Sequence, residues 1–203
     1  MLDALTKRTA AVTVFEAEPQ RAERIYGALT LAFAADPASR WLFAEADSFL
    51  RNFPKFARAL AGPALQNGTG LAMENYAAVA LWLAPGEGPD EQTLGELIET
   101  AVAREKQDDM AAVVEEMGRY HPQEPHWYLP LIGVEPSRQG QGLGSTLLRT
   151  SLSRCDADGL PAYLESSNPI NQPLYERHGF QAIGAIKIRN CPPIVPMLRQ
   201  PRS

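Results

Sequence analysis

The chain has 203 residues, of which 45% are hydrophobic, and its formal net charge is −5. This length and apolar content allow one domain with a substantial core, and we expect residues 1–203 to form it. Binding of nucleic acid or of an anionic membrane surface needs clustered Lys and Arg, which an acidic chain without a long basic run does not provide, so we expect neither partner.

The N-terminal segment and the cysteines favour a protein of the reducing cytoplasm. Met1–Arg8 lacks the apolar core of a secretory signal, and the best apolar run, Ala77–Pro85, is too short to span a bilayer. Cys155 and Cys191 have no CxxC spacing, and the three histidines have no metal-ligand spacing. We therefore expect a cytoplasmic protein without a metal site.

The first half of the chain predicts a strand, two amphipathic helices and two further strands. Val12–Phe15 alternates as a short strand, and apolar stripes at helical spacing predict helices over Pro19–Asp36 and Ala46–Leu60. Leu71–Glu74 and Ala77–Leu83 have the pattern of strands. The aromatic residues of this half either line a pocket for an acceptor or fill the core, and their spacing favours the core.

The second half predicts a long helical tract followed by strands that alternate with helices. Asp90–Met117 is helical throughout, with a possible break near Gln107-Asp108-Asp109. Trp127–Val134 is an apolar strand in which Pro130 lacks a donor N–H, so we expect a bulge around Leu131–Val134. The remaining elements are helices at Ser145–Cys155 and Pro173–His178 and strands at Pro161–Glu165, Ala182–Ile188 and Ile194–Leu198. This order predicts an α/β fold with a mixed sheet covered on both faces.

A glycine-rich turn, Arg138–Gly144, joins the apolar strand to the helix that follows it. The first N–H groups of a helix have no intrahelical partner, and glycines allow an anion to approach the backbone. The turn therefore predicts a phosphate site, most simply for the pyrophosphate of a cofactor. Glu165 lies where a dinucleotide-binding fold places its ribose ligand, which keeps a nicotinamide-dependent oxidoreductase as an alternative. The spacing Gly140-x-Gly142-x-Gly144 differs from GxGxxG and counts against that alternative.

Two segments resemble the GNAT superfamily of N-acetyltransferases. Gln139-x-x-Gly142-x-Gly144 is similar to the family's Q/R-x-x-G-x-G/A motif. Ser167–Phe180 resembles its pattern N-x-x-A-x-x-L-Y-x-x-x-G-F, in which Asn171 replaces the usual Ala; the matching residues are Asn168, Leu174, Tyr175, Gly179 and Phe180. Within the family the chain looks most like the group related to puromycin N-acetyltransferase. It shares with that group the segments Gly133-Val134-x-Pro136, Gln139-Gly140-x-Gly142-Leu143-Gly144-Ser145 and Leu164-Glu165-x-Ser167.

The resemblance implies a GNAT-like domain whose mixed, mostly antiparallel sheet has a splayed central strand. It also implies transfer of an acetyl group from acetyl-CoA to an amine, by direct attack through a tetrahedral intermediate. We expect the acceptor to be a small molecule, and a homodimer is possible by analogy. The implied cofactor-binding residues are Ile132, Gly133, Val134, Gln139, Gly140, Gln141, Gly142, Leu143, Gly144, Ser145, Asn168, Asn171 and Tyr175. A non-catalytic module that binds acyl-CoA, as a sensor or an interaction partner, is the alternative.

Tyr175 is implied as the general acid that protonates the departing thiolate, and it argues against a non-catalytic module. The general base is open: Glu165 ends a strand near the cofactor and is the first candidate, while His126 and Tyr128 start the cofactor strand. One of the two asparagines should cap the helix that carries Tyr175 and the other should bind the pantetheine amides.

Overall fold

The computed structural model describes residues 13–202, and its centre is a twisted sheet of seven strands. The strands are β1 (Val14–Glu16), β2 (Leu71–Met73), β3 (Ala78–Leu83), β4 (Trp127–Val134), β5 (Ala162–Ser166), β6 (Gln181–Ala182) and β7 (Val195–Arg199), and their spatial order is β1-β2-β3-β4-β5-β7-β6. The strand expected at Val12–Phe15 begins at Val14, and Val12 lies outside the described residues.

Every neighbouring pair in the sheet is antiparallel except β4 and β5, which run parallel. Their ladder contains only the pairs Trp127–Ala162 and Tyr128–Tyr163, and beyond these the two strands diverge. The expected mixed, mostly antiparallel sheet with a splayed central strand is therefore confirmed.

Helices cover both faces of the sheet, as the sequence predicts. One face is packed mainly by the helices that precede β4, and the other by the helices that follow it. The first group contains α1 (Ala22–Ala32), α2 (Pro37–Leu42), α3 (Ala46–Ala61), α4 (Pro63–Gln66), α5 (Glu91–Ala101) and α6 (Arg104–Tyr120). The second contains α7 (Leu143–Asp158) and α8 (Gln172–Arg177). Within the described residues, no helix is long and apolar enough to cross a membrane.

The phenylalanine stripe of α3 belongs to the core. Phe49 and Phe53 are 2% and 1% exposed, and their rings stack with centroids 5.0 Å apart. Trp82 and Phe43 are also buried. The interpretation of these aromatics as core residues is confirmed.

The predicted strand Ala182–Ile188 is wrong in extent, since only Gln181–Ala182 form a strand and Ile186 makes an isolated bridge to Ile194. Two helix boundaries also differ clearly from the predicted ones. The break in the long helical tract lies at Val102-Ala103, where Val102 turns into the core with 5% exposure, and not near residues 107–109. The dipeptide Asp36-Pro37 starts a helix instead of only ending one. The Asp36 side chain caps α2 by accepting a hydrogen bond from the Ser39 N–H at 2.9 Å.

The bulge expected around Leu131–Val134 is wrong in position. Those four residues pair regularly with β3, and the register shifts by one just before them, so that Leu129 and Pro130 together lie opposite Trp82. The shift coincides with the proline because a residue without an N–H is tolerated where the ladder is already interrupted. The open edge of β4 therefore comes from the divergence of β5 and not from a bulge within Leu131–Val134.

Candidate active site

The divergence of β4 from β5 leaves backbone groups of β4 without a neighbouring strand. The Glu135 N–H donates to the Ala77 carbonyl at 2.8 Å, on the β3 side. Because amide groups alternate in direction along a strand, the Gly133 N–H also faces β3, whereas the amide and carbonyl groups of Ile132 and Val134 face the gap. Two N–H groups are thus directed into the space between β4 and β5.

Gly133 has a packing role in the sheet. A Cβ atom at this position would lie 2.7 Å from Ala32 Cβ and 3.1 Å from a Leu29 methyl carbon, both on α1. The glycine therefore allows α1 to pack directly against β4, and its amide is used in the ladder with β3.

The glycine-rich turn presents its backbone to open space. Gly140 and Gly142 have φ of +72° and +79°, a conformation that favours glycine, and no heavy atom lies within 4 Å of a Cβ built on either. Leu143, 5% exposed, anchors the start of α7 in the core. The first ladder bond of this helix runs from the Thr146 N–H to the Gly142 carbonyl. In residues 13–202 no group accepts a hydrogen bond from the backbone N–H groups of residues 140–145.

Several side chains of the turn bind its surroundings instead of pointing at the open space. Gln139 Nε2 donates to the Val134 carbonyl at 3.2 Å and so ties the turn to the open edge of β4. Ser145 Oγ and His178 Nε2 lie 2.7 Å apart, which joins the first turn of α7 to the end of α8. Gln141 is exposed, and its Oε1 accepts from Arg138 Nε at 3.1 Å. The contribution of the turn to an anion site is therefore mainly that of its main chain.

Gly144 packs α7 against its neighbours. A Cβ there would lie 3.4 Å from a Leu174 methyl carbon and 3.6 Å from a Val134 methyl carbon, which are ordinary contact distances. This glycine therefore sits at the point where α7, α8 and β4 meet.

Positive charge surrounds the junction of α7 and α8. The pKa of His178 is lowered, first by burial and then by nearby guanidinium groups, which belong to Arg149, Arg177, Arg202 and Arg199. Arg199 is paired with Asp156 near the end of α7, whereas the dipole of α7 favours an anion at the start of that helix. This field agrees with the open N–H groups of the turn.

The two asparagines have separate positions. Asn168 Oδ1 accepts a hydrogen bond from the Ile170 N–H at 3.1 Å and caps the short 3-10 turn that leads into α8. Asn171 is exposed, and among the described residues its side chain makes no hydrogen bond. Neither asparagine side chain caps α8 itself, contrary to the expectation: Asn168 caps the 3-10 turn before it, and Asn171, at the N-cap position of α8, leaves its side-chain amide free among the described residues.

Tyr175 lies in α8 with its ring buried. It is 6% exposed, and its ring meets that of Phe180 edge-on at a centroid distance of 6.1 Å. Burial raises the pKa of the Tyr175 hydroxyl well above its usual range, and the Asp36 carboxylate adds to the effect. The hydroxyl is therefore protonated at every physiological pH.

Asp36 is a buried acid that sequence reasoning missed as a site residue. It is 5% exposed, caps α2, and accepts a hydrogen bond from Ser167 Oγ at 2.7 Å. This contact closes the α1–α2 loop onto the segment that follows β5. A signal was present in Asp36-Pro37, which is typical of a helix start. Ser167, which donates the hydrogen bond to Asp36, lies 131 residues further along the chain, so no local sequence pattern predicts this contact.

Glu165 lies among aromatic and imidazole rings on the α1 side of the sheet. Its side chain is 6% exposed, and its Oε1 is 3.9 Å from His121 Nδ1. Burial, and then the Glu165 carboxylate, raises the pKa of both the Tyr128 and the Tyr163 hydroxyls. The Tyr163 hydroxyl is fully buried and makes no hydrogen bond of ordinary geometry in spite of that proximity. His126 joins this cluster through His121, at 3.1 Å between their Nε2 atoms.

The structure thus brings the predicted residues into two places. The first place contains the glycine-rich turn, the open edge of β4 and α8. The second contains the three candidate bases Glu165, His126 and Tyr128, together with His121. Within residues 13–202 no group of three or more His, Cys, Asp or Glu side chains is arranged to hold a metal ion.

Comparison with known proteins agrees with this geometry. Residues 70–180 match the model of the acetyltransferase (GNAT) family. An uncharacterized N-acetyltransferase of Schizosaccharomyces pombe is 29% identical over 158 residues, which are 66% of this chain and 61% of the yeast protein. The chain therefore matches less than two thirds of the length of that relative.

Solved structures share the fold over nearly the whole chain. The crystal structure of histone acetyltransferase HPA2 and related acetyltransferase from Corynebacterium glutamicum is 25% identical with a TM-score of 0.68, covering 96% of this chain and 98% of that one. The polyamine N-acetyltransferase of Drosophila melanogaster is 14% identical with a TM-score of 0.66, covering 93% and 99%, and at this identity it shows the fold alone. The family match spans more than half of the chain, and the protein belongs to the GNAT family of acetyltransferases.

Proposed function

We propose that the protein transfers the acetyl group of acetyl-CoA to the amine of a small molecule, within one domain built on the seven-stranded sheet. The observation that carries the proposal is the continuity of the open edge of β4 with the open N–H groups of residues 140–145. A ligand with an amide-containing arm and a pyrophosphate at one end matches both parts.

The residues present fit coenzyme A. Its pyrophosphate would be held by the backbone of Gly140–Ser145, where positive φ and open space leave the N–H groups accessible. Its pantetheine amides would pair with Ile132 and Val134 in the gap and with the free Asn171 side chain. The molecule supplies an activated thioester, whose acyl carbon an amine attacks.

The chain supplies an acid and a base on the two sides of the gap. Tyr175 is protonated and lies in α8 next to Leu174, which packs at Gly144 beside Val134, so we assign to it the proton that the thiolate takes up as it leaves. Glu165 is an almost buried carboxylate on the other side, so it takes the proton that the amine must lose before or during attack. Backbone N–H groups of β4 that are directed into the gap stabilise negative charge on the carbonyl oxygen.

Two buried carboxylates favour a cationic acceptor. Asp36 and Glu165 are both close to the end of β5, one through Ser167 and the other as part of the strand. Buried acids of this kind stabilise an ammonium group that approaches along the α1 side of the gap. We further propose that the chain belongs to the group related to puromycin N-acetyltransferase, on the shared segments of residues 133–136, 139–145 and 164–167.

The proposed function is tested by measuring acetyl transfer directly. The protein is incubated with acetyl-CoA and a panel of small primary amines, arylalkylamines, diamines and aminonucleosides, with free thiol measured in solution and the product identified by mass spectrometry. We expect amine-dependent thiol release, and Glu165→Gln should lower kcat/KM on the order of a hundredfold. If the protein binds acetyl-CoA but transfers the acetyl group neither to an amine of the panel nor to a peptide N-terminus, the result would favour a non-catalytic module.

A further inference from the structure

Two imidazoles connect the buried Glu165 to the protein surface. His121 follows α6 and His126 precedes β4, so both lie in the loop that joins these elements. His121 faces Glu165 on one side and His126 on the other, and its side chain is 36% exposed. His126 is partly exposed as well. The histidine pair (His121 and His126) thus forms a continuous line from the carboxylate to solvent.

Hydrogen bonds determine which ring nitrogens carry protons. His126 Nδ1 lies 2.8 Å from the Glu124 carbonyl oxygen, which only accepts, so Nδ1 carries the proton. In the neutral ring His126 Nε2 is then an acceptor, and its partner at 3.1 Å, His121 Nε2, is the donor. His121 Nδ1 is therefore left with a lone pair, and this is the nitrogen that faces Glu165 Oε1 at 3.9 Å.

The surroundings keep the two rings in place and lower the pKa of His126. The His121 ring lies edge-on to Tyr128 and Tyr163, each at a centroid distance of 5.0 Å. The ionisable groups that face the pair are the two tyrosine hydroxyls and the Glu165 carboxylate. Burial lowers the pKa of His126 below its usual value, and His121 adds to that effect, against the opposing contributions of the Glu124 carbonyl and Glu165.

We propose that the histidine pair is a proton relay that carries the proton taken up by Glu165 out to solvent. The proposal rests on the proposed function, in which Glu165 is the base. The carboxyl proton passes to the lone pair of His121 Nδ1, the Nε2 proton of His121 passes to His126 Nε2, and the doubly protonated His126 releases its Nδ1 proton to water. One proton enters and one leaves, and the rings return to their resting tautomers by exchange with solvent.

The first transfer requires a small movement. The gap of 3.9 Å between Glu165 and His121 exceeds a hydrogen bond by about 1 Å, and contacts of catalytic groups often shorten when substrate binds. Once His121 is protonated, the same two atoms attract each other as an ion pair. In this scheme His121 and His126 are positioning and relay residues that act through Glu165.

Two substitutions remove the relay while keeping the packing. His121→Phe preserves a ring between the two tyrosines, and His126→Asn preserves a donor to the Glu124 carbonyl. We expect each to lower kcat on the order of tenfold, with little change in KM for acetyl-CoA, and imidazole added to the buffer to restore part of the rate. Rescue should increase with the basicity of substituted imidazoles. Glu124→Gln, an exposed change in the same loop that keeps the main-chain carbonyl bound by His126, is the matched control and should behave as the wild type.

The resting tautomers are measured separately, in the free protein, by nitrogen NMR with labelled histidine. We expect the Nδ1–H form for His126 and the Nε2–H form for His121. The opposite tautomers, or variants whose rate, pH profile and response to imidazole equal those of the wild type, would overturn the relay alone. If the wild-type protein transfers no acetyl group, the proposed function is refuted. The tautomer measurement then still tests the proton arrangement of the histidine pair, because it needs no activity.

Discussion

Substitution of Gly142 by alanine tests the glycine-rich turn with a control that the chain itself provides. Gly142 has φ of +79° and open space around its Cβ position, so the new methyl group meets no protein atom. Gly86, in the turn after β3, has φ of +83° and equally open surroundings. Both substitutions therefore introduce the same backbone strain, but only the first places a methyl group beside the free N–H groups.

The strain is worth about 1–2 kcal/mol for a residue with a Cβ in this conformation. For a domain of this size that lowers the melting temperature by about 2–8 °C, in Gly142→Ala and Gly86→Ala alike. Acetyl-CoA at about a hundred times its Kd stabilises the folded state by about 2.7 kcal/mol. If the methyl group raises Kd about tenfold, Gly142→Ala loses about 1.4 kcal/mol of that stabilisation and Gly86→Ala loses none.

Melting curves of the wild type and both variants, with and without acetyl-CoA, are the assay. We expect both variants to melt lower without ligand, and only Gly142→Ala to show a reduced shift with it. Equal ligand-induced shifts in the two variants would refute the placement of the pyrophosphate on this turn.

Three other substitutions have defined outcomes. Tyr175→Phe keeps the buried ring, so kcat should fall on the order of a hundredfold or more while the Kd of acetyl-CoA measured by calorimetry is unchanged. Gly184→Ala should lower the melting temperature, because its Cβ would overlap the Tyr120 ring at a cost of about 1–3 kcal/mol. Asp156→Asn should destabilise the protein on the order of 3 kcal/mol, because Arg199, 3% exposed, loses its carboxylate partner at 2.7 Å. Since the hydrogen bonds from Arg199 lower the pKa of Asp156, the advantage of the wild type over this variant is present above about pH 4 and is lost as the pH falls below it.

Each of these expectations has a contrary result. An unchanged kcat in Tyr175→Phe, with chemistry shown to be rate-limiting, would remove its role as the acid. The control for Gly184→Ala is Gly95→Ala, at an open position inside α5, which should raise the free energy of unfolding by about 1 kcal/mol. A gain of similar size in Gly184→Ala would contradict the predicted overlap with the Tyr120 ring. A denaturant midpoint difference for Asp156→Asn that stays constant down to about pH 2 would contradict the pairing with Arg199.

The elements with strong local patterns were predictable from the sequence. β4 has the predicted bounds, and the glycine-rich turn between it and α7 has the open backbone that glycines at those positions indicate. The long tract after Asp90 is helical as expected, but its break was misplaced, because three polar residues in a row are compatible with an exposed helix face. The observed break follows the burial of Val102, which only the tertiary structure determines.

Contacts between distant segments could not be predicted. The bulge moved to Leu129-Pro130 because the pairing of β4 with β3, and not the composition of β4 alone, decides where the extra residue lies. The contact of Asp36 with Ser167 and that of His121 with Glu165 each join separate elements. The candidate site beyond the two family-like segments depends on such contacts, and for this reason the base remained open at the level of the sequence.

The most direct test of the central claim is the change in melting temperature on addition of acetyl-CoA, CoA, NADH and NADPH, each at the same millimolar concentration. A ligand that binds only the folded protein raises its stability by mass action. We expect acetyl-CoA and CoA to raise the melting temperature and the two nicotinamide nucleotides to leave it unchanged. Stabilisation by NADH or NADPH alone would contradict the account and would make Glu165 a ribose ligand in place of a base.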